Sequence, residues 1–277
     1  MKLFYQSGSM MVMREVNSNV YTKEYFEGDC EGWVEWVQTS GKKLAPRLKY
    51  ALDMAGVKPG DVVVDFGSGR GELAFHVANI GAMVLGLDYS TTAIKLSKKL
   101  PPPKLGSLDF ERIKSLRIPK RDGSVDLIFF IDVIEHLYPE QLDELFNEFS
   151  RVLKPGGKII VHTAPNREYY DYGYPFFTRW MNIVLNQFLW KPIFRDELIV
   201  RKNPRTKYDY QVHVNECSKD ELEDYFTKSG FDVKAWYDSS WRKIRIRDKV
   251  EYLINRPAWG PLKRWFAYDI WAVATKV

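Results

Sequence analysis

Cysteine is nearly absent from this 277-residue chain, which holds only Cys30 and Cys217. Two cysteines cannot build a disulfide framework, and no CxxC pair is present to hold zinc or to cycle a disulfide. Histidine is scarce too, with four residues and no ligand spacing among them, so no metal is expected. No run reaches the roughly 18 uninterrupted apolar residues of a membrane span. Arg14 and Glu15 stand where the apolar stretch of a signal peptide would continue, and a cytoplasmic location is expected. Internal repeats and low-complexity tracts are missing as well.

What the chain has in excess is aromatic surface. Phe, Trp and Tyr make up 15% of the residues, and such rings gather in cores and binding sites. The remaining balance, 45% hydrophobic and 28% charged, is that of a globular protein and excludes a disordered or fibrous chain. The length suits one elaborated α/β domain. The net charge of +5 is localised: residues 241–265 carry eight Lys or Arg against two acids, and residues 191–207 carry six against two. Runs of this kind indicate an anionic partner or surface nearby, or a solvated basic face.

From residue 61 onward, short apolar runs alternate with helical stretches, the pattern of a doubly wound parallel sheet. Val62-Val63-Val64 leads through Asp65-Phe66 into glycines, and Glu72 to Ile80 reads as a helix closed by Gly81. Met83 to Leu87 forms the next strand, and Val125 to Ile131 is apolar enough for a central strand covered on both faces. Leu142, Leu145, Phe146, Phe149, Val152 and Leu153 recur at helical spacing before Lys154-Pro155-Gly156-Gly157, and Lys158 to Val161 starts another strand. Residues 165–215 then lose regularity, with one helix expected at Arg179 to Trp190. Ser218 to Glu221 is a capping box, and Phe231 to Trp236 and Phe266 to Ala274 read as the last strands. Residues 1–50 are expected to form a helical cap, residues 51–277 the main domain, and the insert 167–212 a cover over the substrate, since interruptions this long are usually binding loops.

The sharpest segment is Val64-Asp65-Phe66-Gly67-Ser68-Gly69-Arg70-Gly71-Glu72, at a strand-to-helix turn whose backbone N–H groups surround a ligand crevice. A dinucleotide fingerprint, GxGxxG, would need glycine where Glu72 stands. Asp65 would repel a pyrophosphate and favour a ligand carrying an amine and a sulfonium. Asp88 ends the second strand, where an acid binds ribose hydroxyls; as a helix N-cap it would be structural instead.

At this point the chain resembles the class I S-adenosylmethionine-dependent methyltransferases, quinone-type relatives included. The likeness is carried by VVDFGSGRGELAFHVA (63–78), GLDYS (86–90), DGSVDLIFFIDVIEHL (122–137) and LKPGGKIIVHTAPN (153–166), in the family's order. It implies a Rossmann-like seven-stranded sheet whose last strands are antiparallel, followed after the fifth strand by the aromatic insert. It implies that Asp65, Gly67, Ser68, Gly69 and Gly71 hold the methionine part of S-adenosyl-L-methionine. Asp88 would bind the ribose, Tyr89 the adenine, and the Ile131 backbone the methionine amine. Many relatives place an acid where Lys114 stands, so the adenine contact falls to the backbone near Ser115.

Methyl transfer is an in-line displacement, so positioning supplies much of the rate, and an oxygen or nitrogen nucleophile can use one base. His136, beside Asp132 and Glu135 at a strand's end, is the candidate catalytic residue; His76 and His162 suit packing as well as function. Tyr25, Asn166, Tyr170 and His213 are the candidate substrate contacts. The expected acceptor is a small molecule, anionic or apolar, methylated on oxygen or nitrogen. The apolar helix 179–190 with its basic tail also suits an interfacial contact and a membrane-resident quinone or lipid acceptor. A tRNA or protein substrate ranks below these because no nucleic-acid module is visible. The intact acids argue against a scaffold that has lost catalysis.

Overall fold

The run Val62-Val63-Val64 is β-branched and apolar, and it opens an interior strand, Val62–Phe66, of a sheet that helices cover on both faces. The computed structural model describes residues 3–6, 9–12, 16–194, 205, 209–238 and 260–277. Its strands are β1 (Leu3–Gln6), β2 (Ser9–Val12), β3 (Val62–Phe66), β4 (Met83–Asp88), β5 (Ser107–Arg112), β6 (Val125–Ile131), β7 (Leu153–Thr163), β8 (Phe231–Tyr237) and β9 (Ile270–Lys276). The first two pair as a hairpin, and the other seven form one sheet in the order β5-β4-β3-β6-β7-β9-β8. Pairings from β5 through β7 are parallel, while β9 lies antiparallel between β7 and β8. The order reverses between β3 and β6, and at such a switch the strand ends leave a crevice.

One sheet face packs on the helices Pro139–Val152 and Lys219–Lys228. Leu142, Leu145, Phe146, Phe149 and Val152 are wholly buried there. Phe149 meets Phe66 and Phe130 edge-on at 5.4 and 5.2 Å, and Phe146 stacks on Phe226 at 4.3 Å, tying the two helices together. The other face is covered by the helices Pro46–Ala55 and Glu72–Ile80 through Ala51, Leu73, Ala74, Val77 and Ala78. Among the described residues no helix is long and apolar enough to cross a membrane.

Four sequence expectations change. The expected helical cap begins with the β1–β2 hairpin, and helical turns start only at Ser18–Val20. Strand β5 had not been assigned: its two inward residues, Leu108 and Phe110, alternate with exposed Asp109 and Glu111, an edge-strand pattern too short to stand out. The last strand begins at Ile270, not Phe266. The helix expected at Arg179 to Trp190 is present, but helical turns run on either side of it from 167 to 194, with wide turns at Tyr169–Thr178 around Pro175, which has no N–H to give an ordinary helical bond. Most of the two basic runs, 195–204, 206–208 and 241–259, lies outside the described residues.

The N-terminal segment is clasped to the glycine loop by one side chain. Arg70 is buried, its Nε donates to Glu72 at 2.7 Å, and its guanidinium donates to the carbonyls of Phe26 and of Glu31, the latter at 2.7 Å. Arg70→Ala leaves the Glu72 carboxylate buried without its cation, so stability should fall by about 3–5 kcal/mol. Denaturant unfolding measures that loss, and limited proteolysis should cut residues 16–31 sooner in the variant.

Candidate active site

Strands β3, β4 and β6 end together on one side of the sheet, beneath the segment Val16–Glu31. Between them lies a cavity of about 460 Å³. Its floor is the turn after β3. Gly67 takes φ +80°, and a Cβ there would stand 2.3 Å from Val133 Cγ2, so only glycine lets β6 approach this closely. Within the turn, the hydroxyl of Ser68 is buried in the cavity lining with no hydrogen-bond partner among the described residues.

Carboxylates crowd this cavity. Asp88 accepts from the backbone N–H of Gly69 at 2.9 Å through one oxygen and of Ser90 at 2.7 Å through the other. Burial nevertheless lifts its acid to about 6. Asp65 is pushed up to about 7, first by burial and then by the charge of Asp88. Across the cavity, Glu135 is also raised to about 7 by burial and by Asp132, although Thr163 Oγ1 donates to it at 3.0 Å. Asp132 departs from the others. Burial opposes its charge, but Arg47 Nε at 3.0 Å and His162 Nδ1 at 2.5 Å hold it down at about 2.

The roof is aromatic. Tyr21 lies edge-on to Tyr25 and Tyr89, at 5.3 and 5.4 Å, and its hydroxyl is 3.1 Å from His136 Nδ1. Burial, and then the neighbouring His213, depress His136 to about 3, so the imidazole stays neutral and keeps a lone pair. The His213 ring lies 5.0 Å from it, with Nδ1 at 3.1 Å from Glu216. Glu216 is paired in turn with Arg205, whose guanidinium sits 3.8 Å above the Tyr170 ring.

Of the expected site residues, Asp65, Gly67, Ser68, Gly69, Asp88, Tyr89, Ser115, Ile131, His136, Tyr25 and His213 all line the cavity. Three do not. Gly71 caps the helix behind the turn, where a Cβ would meet Phe110 Cζ at 2.4 Å, so its part is to let that ring close in. Asn166 is fully buried and its carboxamide is spent on protein, donating to the carbonyls of Arg264 and Ala267 at 2.7 and 3.0 Å and accepting from Glu168 N–H. Tyr170 is held against Arg205 and Tyr210, outside the cavity. The expected cover contributes Asp209 alone of its described residues; the helix 167–194 packs instead on 265–268, with Phe177 stacked 5.9 Å from Trp265.

Sequence reasoning expected Tyr21 to cover the substrate, as one of the aromatics between Tyr21 and Trp36, but missed Arg47 and Asp132 as wall residues. The available signal was the block Asp132-Val-Ile-Glu-His136 at a strand's end; nothing local marked Arg47. It also missed that Glu135, His136 and His213 bring three ligand atoms within 4.8 Å of one another, because His213 comes from a remote segment. That spacing suits a small cation, yet Thr163, Tyr21 and Glu216 already partner the three side chains.

Residues 64–161 match the family model described as a methyltransferase domain. A ubiquinone biosynthesis O-methyltransferase from Brucella anthropi is 27% identical over 221 residues, covering 76% of this chain and 79% of its own. A phosphoethanolamine N-methyltransferase from Arabidopsis thaliana is 32% identical over 127 residues, which is 46% of this chain. The chain spans only a quarter of that plant enzyme's length. Among solved structures, a SAM-dependent methyltransferase from Archaeoglobus fulgidus superposes with a TM-score of 0.55 at 19% identity, over 91% of this chain and 98% of that one. The match to the domain model runs from within β3 to within β7, the strands whose ends make the cavity, and over this stretch the chain is similar to S-adenosylmethionine-dependent methyltransferases.

Proposed function

We propose that the protein transfers a methyl group from S-adenosylmethionine to an oxygen or nitrogen of a small-molecule acceptor. The observation that carries this reading is the pair of buried acids, Asp65 and Asp88, at neighbouring strand ends in one cavity with the Tyr21–His136 contact. The donor set fits the cofactor. The two Asp88 oxygens are held by backbone N–H groups of Gly69 and Ser90 and present a carboxylate to two vicinal ribose hydroxyls. The lining hydroxyl of Ser68 is a further polar group for it, and the Arg47 guanidinium suits its carboxylate. When bound, the cofactor supplies a methyl group made electrophilic by its sulfonium. The chain's own residues then have three tasks. Tyr21, Tyr25 and Tyr89 exclude water, the acids favour a cationic ligand, and the neutral imidazole of His136 orients the acceptor through a hydrogen bond. The named relatives methylate nitrogen in one case and oxygen in the other, and the reading keeps both.

Binding of S-adenosylhomocysteine followed by calorimetry tests the cofactor assignment. Asp88→Ala should weaken it roughly ten- to a hundredfold, the size of lost charge-assisted bonds. Ionised Asp88 and Asp65 are the better partners for hydroxyl and cation, so wild-type affinity should fall as pH drops through about 7 and then about 6. Unchanged affinity in a folded Asp88→Ala variant would remove the assignment. His136→Ala should lower methyl transfer to a responsive acceptor by about tenfold, the size of one lost orienting hydrogen bond, while cofactor affinity holds. Equal loss of both would make His136 a structural residue.

A second reading, a membrane-resident quinone or lipid acceptor, is favoured by one surface. Tyr172, Phe176, Trp180, Val184 and Phe188 recur every four residues along the helical insert, and each is half or more exposed. Lys191, exposed at the end of the insert, would face anionic headgroups. Co-sedimentation with phosphatidylglycerol vesicles should fall severalfold in Trp180→Ala/Phe188→Ala; no sedimentation of the wild type would dismiss this reading.

A further inference from the structure

Behind the cavity wall stands an acid–base chain that the proposed chemistry does not use. Asp132 follows β6 with φ +56°, a left-handed backbone that costs a non-glycine residue free energy unless its surroundings hold it. Its N–H donates to the carbonyl of His162 at 2.9 Å, and its carboxylate contacts the same residue's Nδ1 at 2.5 Å. His162 has no exposed surface, and its Nε2 lies 3.4 Å from Asp269, which is equally enclosed. Trp271 covers the imidazole, with ring centroids 4.3 Å apart. Only the front of this chain reaches the cavity, where the Asp132 and Arg47 side chains are about a quarter exposed (26% and 22%) and paired at 3.0 Å.

A buried imidazole between two carboxylates is a costly arrangement, and it orients the carboxylate that touches ligand space. An anion and a cation side by side at that wall match one kind of ligand group, the ammonium and carboxylate of an amino acid. From Asp88 the cavity runs past the turn after β3 to Ile131 and Asp132, so a ligand with its ribose at Asp88 carries its amino-acid end towards this pair. We propose that His162 and Asp269 are positioning residues that hold Asp132, beside Arg47, to receive the ammonium of the ligand's amino-acid end. Burial pulls the imidazole towards neutrality, but Asp132 and then Asp269 overcome it and raise His162 above its ordinary value, in keeping with a charged link in the chain. The inference rests on the cofactor reading above.

Two ligands separate the ends of the cavity. S-adenosylhomocysteine carries the amino acid; 5′-methylthioadenosine has the same nucleoside without it. His162→Gln should weaken S-adenosylhomocysteine about tenfold and Asp269→Asn somewhat less, while 5′-methylthioadenosine changes by less than about threefold in both. Asp132→Asn should match His162→Gln, and the double variant should be no weaker than Asp132→Asn, because residues in one chain do not add. Equal weakening of both ligands would make His162 and Asp269 general supports and overturn the proposal, as would unchanged binding in both folded single variants. Thermal melts establish folding, and Asp269→Asn, which keeps the volume, serves if His162→Gln does not fold. Wild-type protein that binds neither nucleoside would overturn the cofactor reading itself, a result distinct from either of these.

Discussion

Carboxylates packed together away from water govern this structure. Asp65, Asp88, Asp132 and Glu135 stand around one cavity at the switch in strand order, and burial raises three of them towards neutral pH. Water would solvate such groups; the fold gives each a few directed donors instead. The turn after β3 offers the Gly69 N–H to Asp88, Thr163 donates to Glu135, and Arg47 and His162 neutralise Asp132. The arrangement is poor for an empty core and good for a ligand with hydroxyls and positive charge. Local stability has been given up where binding can restore it.

The same crowding explains why the second wall differs from the first. At β3 and β4 the acids meet backbone donors, which any sequence can supply once the turn has formed. At β6 the acid meets side chains from two remote places, Arg47 before the sheet and His162 on β7, and His162 in turn meets Asp269 just before β9. The first wall therefore belongs to one motif, and the second exists only when the whole sheet is assembled.

That difference sets what could be read from the chain alone. The glycine turn, Asp88 and the apolar run ending at Ile131 each lie within one short segment that couples a backbone geometry to a residue type, so strand ends, helices and most of the cofactor wall were legible. Arg47 carried no local mark, because its part depends on where the segment before the sheet comes to rest. Asn166 and Tyr170 misled for the opposite reason. A carboxamide and a phenol after a strand suggest ligand contact, but which groups their polar atoms meet is decided by residues 264–267 and by Arg205. The first part of the helical insert, ahead of Arg179, escaped because Pro175 and its wide turns break the ordinary helical period.

The place of β9 carries a consequence for how the molecule comes into being. It lies between β7 and β8 although it follows both in sequence, so during synthesis β7 would present an open edge until residues 270–276 emerge. An unpaired apolar edge is an invitation to aggregate, and a parallel sheet with distant partners closes slowly. Asp269 and Trp271 arrive with that same strand. Sheet closure and completion of the wall behind Asp132 are thus one event, and a nascent chain would acquire its finished binding cavity only when its exposed edge disappears.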